Sequence, residues 1–380
     1  MTACHERPSP TVEIWTWYDL NSVRSNLGGT YLLMKSLDST TRGYQELASP
    51  TANGGKGWQP IGSRQQPFNG SFDGQGYEIK DIFIKRPGES DVGLFGAVDK
   101  AGTVQNVKLV NADVTGEWYA GSLVGTNYGT VRNCDSSGAV TGSQQVGGLV
   151  GGNAGTVSDC AFAGSVSGSD LVGSLAGGST KTISSCRSSG TVTGESRVGG
   201  LVGGINGVVT NSYSSASASG DRHVGGLVGY ANGIVSNCHA TGTVTGDSYV
   251  GGLVGWNRDI IRNCYSFASV TGNWLVGGLV GQNRGSVTNT YSTGSVSGSD
   301  DVGGLVGRNY QGTVSNSFWD RESSGMEVSD GGTGKTTSEM KTISTFSGWD
   351  IIAVNPGETN PAYIWNIVDG QTYPFLSGKS

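Results

Sequence analysis

A leucine followed by a small apolar residue and a glycine recurs through most of this chain with one fixed period. From Leu123 it returns at Leu149, Leu175, Leu201, Leu227, Leu253, Leu279 and Leu305, each step 26 residues with no insertion or deletion. An earlier copy, Gly93-Leu94-Phe95-Gly96, precedes Leu123 by 29 residues. A period in this range means stacked repeats, each touching only its neighbours. The columns around the leucine say which kind. Three residues before it stands valine at Val146, Val172, Val198, Val224, Val250, Val276 and Val302; Val131, Val157, Ile183, Val209, Val235, Ile261 and Val287 stand eight after it. Seventeen after come Val140, Val166, Val192, Ala218, Val244, Val270 and Val296. Three apolar segments separated by Gly or Asn predict three short strands and three corners per coil. Inward columns then stack and parallel strands pair about 4.8 Å apart. The expected fold is an all-β, three-faced parallel β-helix, right-handed by the crossover rule.

Composition agrees with a packed coil. Gly is 66 of 380 residues without a Gly-X-Y period, which excludes collagen, and only 14 % of residues are charged. A net charge of −6 argues against the basic surface that nucleic acid needs. No apolar run is long enough to predict membrane insertion. Residues 1–11 read as a tail without the apolar core of a signal peptide, so a mature form or fragment is expected. Residues 12–100 read as an N-terminal cap and first coils. Thr16 and Asp19 resemble a helix cap ahead of Leu20, Val23 and Leu27, and a strand follows at Tyr31–Met34. This helix is expected to cover the unpaired edge of the first coil. The regular coils occupy 101–317. Residues 318–380 read as an aromatic-rich C-terminal cap, with a short helix within 337–346 and strands near 349–352 and 363–367.

Two further columns carry chemistry-bearing side chains. Asn133, Asp159, Ser185, Asn211, Asn237, Asn263 and Asn289 lie ten after the leucine, where Asn tolerates a left-handed backbone and bonds its neighbour along the stack. Next to them run Cys134, Cys160, Cys186, Ser212, Cys238, Cys264 and Thr290. Ser and Thr in the same slot predict free, buried thiols acting as small side chains rather than disulfides or metal ligands. Cys4 is expected to be reactive. Tyr213, His239, Tyr265 and Tyr291 predict a stacked row. The glycine-rich stretch Asp330–Thr336 lacks the first glycine and the preceding strand that a phosphate-binding loop requires. Rows such as Thr191/Thr193 and Thr243/Thr245 make ice binding a minor alternative.

The corner before each valine varies most from coil to coil. Trp118, Tyr119, His223, Tyr249 and Trp274 supply its aromatic residues, and Glu195, Asp221 and Asp247 a row of carboxylates on three consecutive coils. Together they are expected to form one strip that takes a ligand, with Arg258, Arg284 and Arg308 facing elsewhere. Carboxylates roughly 5 and 10 Å apart match glycosidase separations. They also suit weak Ca2+ binding. Each, however, follows glycine in a turn that favours such residues, and an open corner does not raise a catalytic pKa.

The repeats resemble the GLUG motif, named for its Gly-Leu-hydrophobic-Gly core. Trp58-Gln59-Pro60-Ile61-Gly62, Phe68-Asn69-Gly70-Ser71-Phe72-Asp73-Gly74 and Ile364-Trp365 to Tyr373-Pro374-Phe375-Leu376 resemble the flanks of such proteins. The resemblance implies an extracellular or cell-surface β-helix of the adhesin kind, and no reaction. The expected function is thus a non-catalytic scaffold binding carbohydrate or protein, monomeric or part of a longer surface protein, with no metal or cofactor. The alternative is a polysaccharide hydrolase or lyase on the same helix.

Overall fold

The structure, a computed structural model, describes residues 11–378. Cys4 and most of the expected tail lie outside the described residues. The chain forms a parallel β-solenoid whose turns follow the 26-residue period. Thr130 pairs with Thr156, Asp135 with Ala161, Gln144 with Asp170 and Val150 with Ala176, each one period on. Each coil holds four strand segments where three were expected: Thr130–Arg132, Asp135–Thr141, Gln144–Gly147 and Val150–Asn153 in one representative turn. Three of these rows join one 32-stranded sheet; the fourth, from Phe95–Val98 to Val306–Asn309, is a separate nine-stranded sheet.

Glycine produces the extra segment. The pattern predicts one strand through the valine and the following leucine, but Gly148-Leu149 turns the chain between them. The two sheets then lie main chain against main chain. A Cβ at Gly147 would stand 2.1 Å from the Val150 carbonyl oxygen, and one at Gly151 2.4 Å from the Tyr119 carbonyl carbon, so only hydrogen fits. The strands of the nine-stranded sheet are accordingly buried on both sides along most of the stack.

The predicted inward columns form the core. Leu123 to Leu305, Val131 to Val287 and Val146 to Val276 are fully buried, and Val302, in the last coil, is partly so. Each such side chain contributes about 1.5–3 kcal/mol of burial. The asparagine column behaves as expected: every member has φ between 49° and 54°. Its amides bond along the stack, Asn133 to Asn106 at 2.6 Å and Asn237 to Asn211 at 3.1 Å. A second, buried ladder had no expectation attached: Asn127 donates to Asn153, Asn257 to Asn283 and Asn283 to Asn309, all at 2.8–2.9 Å. The cysteine column is buried, and its thiols form no disulfide among the described residues. Each thiol lies 3.0–3.2 Å from the carbonyl oxygen two residues before it, and Ser212 makes the same bond at 2.8 Å. The slot asks for a small donor, which is why Ser and Thr alternate with Cys.

The ends are closed by imitation of a missing coil. At the N-terminal end Ile61 and Phe68 bridge Phe95 and Val98, the first strand of the nine-stranded sheet. The helix Trp17–Ser22 carries the expected Thr16–Asp19 capping box. Its Trp17 and Leu20 fill the end of the core, while the terminal edge of the larger sheet is the strand Thr11–Ile14, paired only with Thr30–Leu33 among the described residues. At the other end Ser329 Oγ accepts from the amides of Leu305 (3.2 Å) and Val306 (2.9 Å), where Leu253, Val254, Leu279 and Val280 meet the next leucine's carbonyl. Asp330 accepts from the Asn309 amide at 2.8 Å. The stretch that resembled a phosphate loop is thus an edge cap. Its Lys335 pairs with Glu339 at 3.5 Å, and Thr336 caps the helix Thr337–Met340. The remaining C-terminal residues make a small lobe with a three-stranded sheet, Ile351–Ala353, Trp365–Ile367 and Phe375–Leu376. Met340, Phe346, Trp349 and Trp365 pack on Tyr265 and Tyr291, so this lobe clasps the flank of the last coils.

Candidate ligand-binding face

The residue four before each leucine sets the geometry. Tyr119, Gln145, Leu171, Arg197, His223, Tyr249, Leu275 and Asp301 all have φ of 51° to 57°. That left-handed backbone is unfavourable for side chains of these types. It turns them onto the outer side of the nine-stranded sheet, over the position three after the leucine. A Cβ at Gly152 would lie 2.7 Å from the Tyr119 ring, and one at Gly204 2.5 Å from Leu171 Cδ2.

The expected strip therefore divides. Trp118 and Trp274, one residue earlier, stay on the flank at 46 % and 62 % exposure. They stand six coils apart, roughly 29 Å at 4.8 Å per coil, and share no site. Glu195, Asp221 and Asp247 lie exposed beside them, bonded along the stack through the Asp221 amide to the Glu195 carbonyl (2.9 Å) and Asn273 Nδ2 to Asp247 (2.7 Å). Among the described residues no group of three or more His, Cys, Asp or Glu side chains is arranged to hold a metal. Tyr119, His223 and Tyr249 face the nine-stranded sheet instead.

His223 and Tyr249 meet two rings from beyond the leucine, Tyr230 and Trp256. The His223 ring centre lies 4.7 Å from Tyr249, 5.1 Å from Trp256 in a stacked pose, and 6.3 Å from Tyr230; Tyr230 meets Trp256 edge-on at 5.3 Å. Burial pushes the His223 imidazole down to about 4, with Arg222 and Arg197 adding repulsion and Asp170 opposing it. Neither imidazole nitrogen has a hydrogen-bond partner among the described residues. The arginines expected elsewhere join the same face. Arg258 and Arg284 lie 5.6 and 5.4 Å over Trp256, Arg284 also 4.7 Å over Tyr310, and Arg222 5.9 Å over Tyr249. Arg258 donates to the Tyr230 hydroxyl at 2.9 Å. Arg308 pairs with Asp301 at 3.3 Å.

Towards the N-terminus the ring cluster opens into a groove of about 310 Å³. Its floor is Gly152, Gly178 and Gly204, the column that carries Tyr230, Trp256 and Gln282 in later coils. Gln145, Leu171 and Arg197 form one wall, and Arg64 lies 4.0 Å over Tyr119 at the far end. A second cavity, about 430 Å³, lies where the C-terminal lobe meets Tyr213 and His239. The cluster was hidden in sequence because its members come from both sides of the turn. The visible signal is the column three after the leucine, which passes from glycine to large side chains at Tyr230.

Fold and repeat together define this chain as a parallel β-solenoid, and five of its coils match the GLUG motif. That motif matches residues 116–141, 142–167, 220–245, 246–271 and 272–297. The chain is 36 % identical over 139 residues to halomucin of Haloquadratum walsbyi, across 35 % of this chain and 2 % of that protein. It is also 36 % identical over 117 residues to a protein of Evansella cellulosilytica named as a Gly-rich membrane protein, across 30 % of this chain and 13 % of that one. The chain thus spans a small part of either relative. A crystal structure from Bacteroides ovatus, named as an immunoglobulin A1 protease, superposes with a TM-score of 0.38 at 19 % identity, over 98 % of this chain and 93 % of that one. That likeness is too loose to carry an argument.

Proposed function

We propose that this chain is a non-catalytic module of a secreted or cell-surface protein that binds carbohydrate along one lateral face. The observation that carries this reading is the ring cluster on the outside of the nine-stranded sheet, buried His223 with half-buried Tyr230, Tyr249 and Trp256, continued by a groove. Aromatic rings with polar rims suit sugar rings, which present an apolar face and a hydroxyl edge. The relative named as a membrane protein supports a surface location. The reading without catalysis is supported by Glu195, Asp221 and Asp247, which stand exposed on the neighbouring flank, away from the groove and the ring cluster. A glycan array scored for both binding and cleavage tests it. Tyr249→Ala with Trp256→Ala is expected to keep the native circular dichroism spectrum and lower affinity about tenfold or more. Turnover of any polysaccharide that Asp221→Ala abolishes would overturn it.

A further inference from the structure

We infer that the C-terminal half of this face takes a polyanionic glycan, a chain bearing carboxylate or sulfate groups, laid along the solenoid axis. The inference rests on the carbohydrate reading above and narrows it.

Charge pairing separates the two halves of the face. The arginines lining the groove are neutralised: Arg64 pairs with Asp91 at 2.8 Å and Arg197 donates to Asp170 at 2.7 Å. The arginines at the ring cluster are not. Arg222, Arg258 and Arg284 form no ion pair with any described carboxylate, although the protein as a whole is acidic, with a net charge of −6. Their exposed guanidinium groups are held instead against Tyr249, Trp256 and Tyr310, with Arg258 fixed further by the Tyr230 hydroxyl. A guanidinium stacked on a ring keeps its edge donors free, in a plane that matches a carboxylate or sulfate.

The spacing is that of a chain rather than a single ion. Arg258 and Arg284 are one period apart, so their backbones stand about 4.8 Å apart along the axis, and Arg222 reaches the same cluster from the flank row of the preceding coil. A linear glycan following the same axis presents its anionic groups to successive arginines and its ring faces to Trp256 and Tyr249. The groove continues the path past Tyr230, where only hydrogen atoms on Gly204, Gly178 and Gly152 interrupt the floor.

The test uses the full chain and titration calorimetry with four probes. Polygalacturonate and its fully methyl-esterified form share one backbone with and without charge; dextran sulfate and dextran do the same for sulfate. Binding of either charged probe, at least about tenfold tighter than its neutral counterpart and weakening as salt rises, is the expected result. Which charged probe binds more tightly tells carboxylate from sulfate. Arg258→Gln with Arg284→Gln is expected to lose that preference, Arg258→Lys with Arg284→Lys to keep part of it, and Arg262→Gln, on another strand row, to leave it unchanged. The salt dependence of the unaltered protein keeps the test decisive should the double variant misfold. Equal affinity for charged and neutral chains, or a Gln variant that binds like the parent, overturns the inference while the carbohydrate reading stands. No binding to any glycan on the array overturns both.

Discussion

At the residue scale the solenoid is governed by two left-handed columns, and only one was legible. Asn is a residue that accepts positive φ, so its recurrence ten after the leucine announced both its conformation and its ladder. Tyr119, Gln145, Leu171, Arg197, His223 and Tyr249 share no such preference. Their φ is imposed by the turn that brings two sheets together, and nothing in their chemistry signals it. That is why the corner looked free to vary and why Tyr119, His223 and Tyr249 were expected in one strip with Trp118 and Trp274. Asn237→Ala is expected to cost about 1–2 kcal/mol in urea denaturation, and Asn237→Gly less, because glycine has no Cβ to strain. The cysteine slot gives a second expectation. Burial, reinforced by neighbouring thiols, holds Cys160, Cys186 and Cys264 well above the usual thiol range. With Cys4→Ser in place, the native protein is expected to resist thiol labelling until it unfolds; rapid labelling of the folded chain would refute the buried column. Cys238→Ser is expected to cost within about 1 kcal/mol, since Ser212 already makes the bond this slot requires.

At the scale of the element, one ladder changes task along its length. Tyr213, His239, Tyr265 and Tyr291 stack at 4.7 to 5.2 Å with interplanar angles of 8° or less, as their spacing predicts. The last two rungs also seat the C-terminal lobe through Trp349 and Trp365. The sequence showed an aromatic-rich end piece but not its docking place, because a flank and an end offer the same apolar side chains. Trp349→Ala is expected to loosen this lobe by about 3–5 kcal/mol. Limited proteolysis should then cut near the lobe while the β-sheet spectrum persists; a lobe as resistant as the parent's would count against the docking described. His239 lies between Tyr213 and Tyr265, and burial depresses it from 6.5 to about 4, as it does His223. The unfolded chain therefore binds more protons than the folded one between those values. Stability is expected to be fully present above pH 6.5 and to fall as pH drops towards 4. Denaturant midpoints across this window should flatten in His223→Gln with His239→Tyr.

For the molecule as a whole, the period alone sufficed to specify a stacked β-coil, because every coil must place the same columns inward. The ends obey no period; caps were expected there, but not the bonds that close them: Ser329 and Asp330 supply bonds that in other coils come from backbone, an exchange invisible without the fold. The same logic sets a test of modularity. Deleting residues 168–193, one full period, joins Ser167 to Gly194 in register and is expected to leave a cooperative fold one coil shorter. Deleting 168–180 reverses inward and outward columns and is expected to leave no native spectrum.

The unbroken 26-residue register has a consequence for descent. Neighbouring coils are interchangeable in frame, so unequal recombination within such a gene adds or removes whole coils and seldom destroys the product. Length then becomes a heritable trait that varies in steps of about 4.8 Å, and selection can adjust how far a molecule reaches without rebuilding either of its ends. The arginines and rings, confined to a few coils, travel with their own rows through every such change.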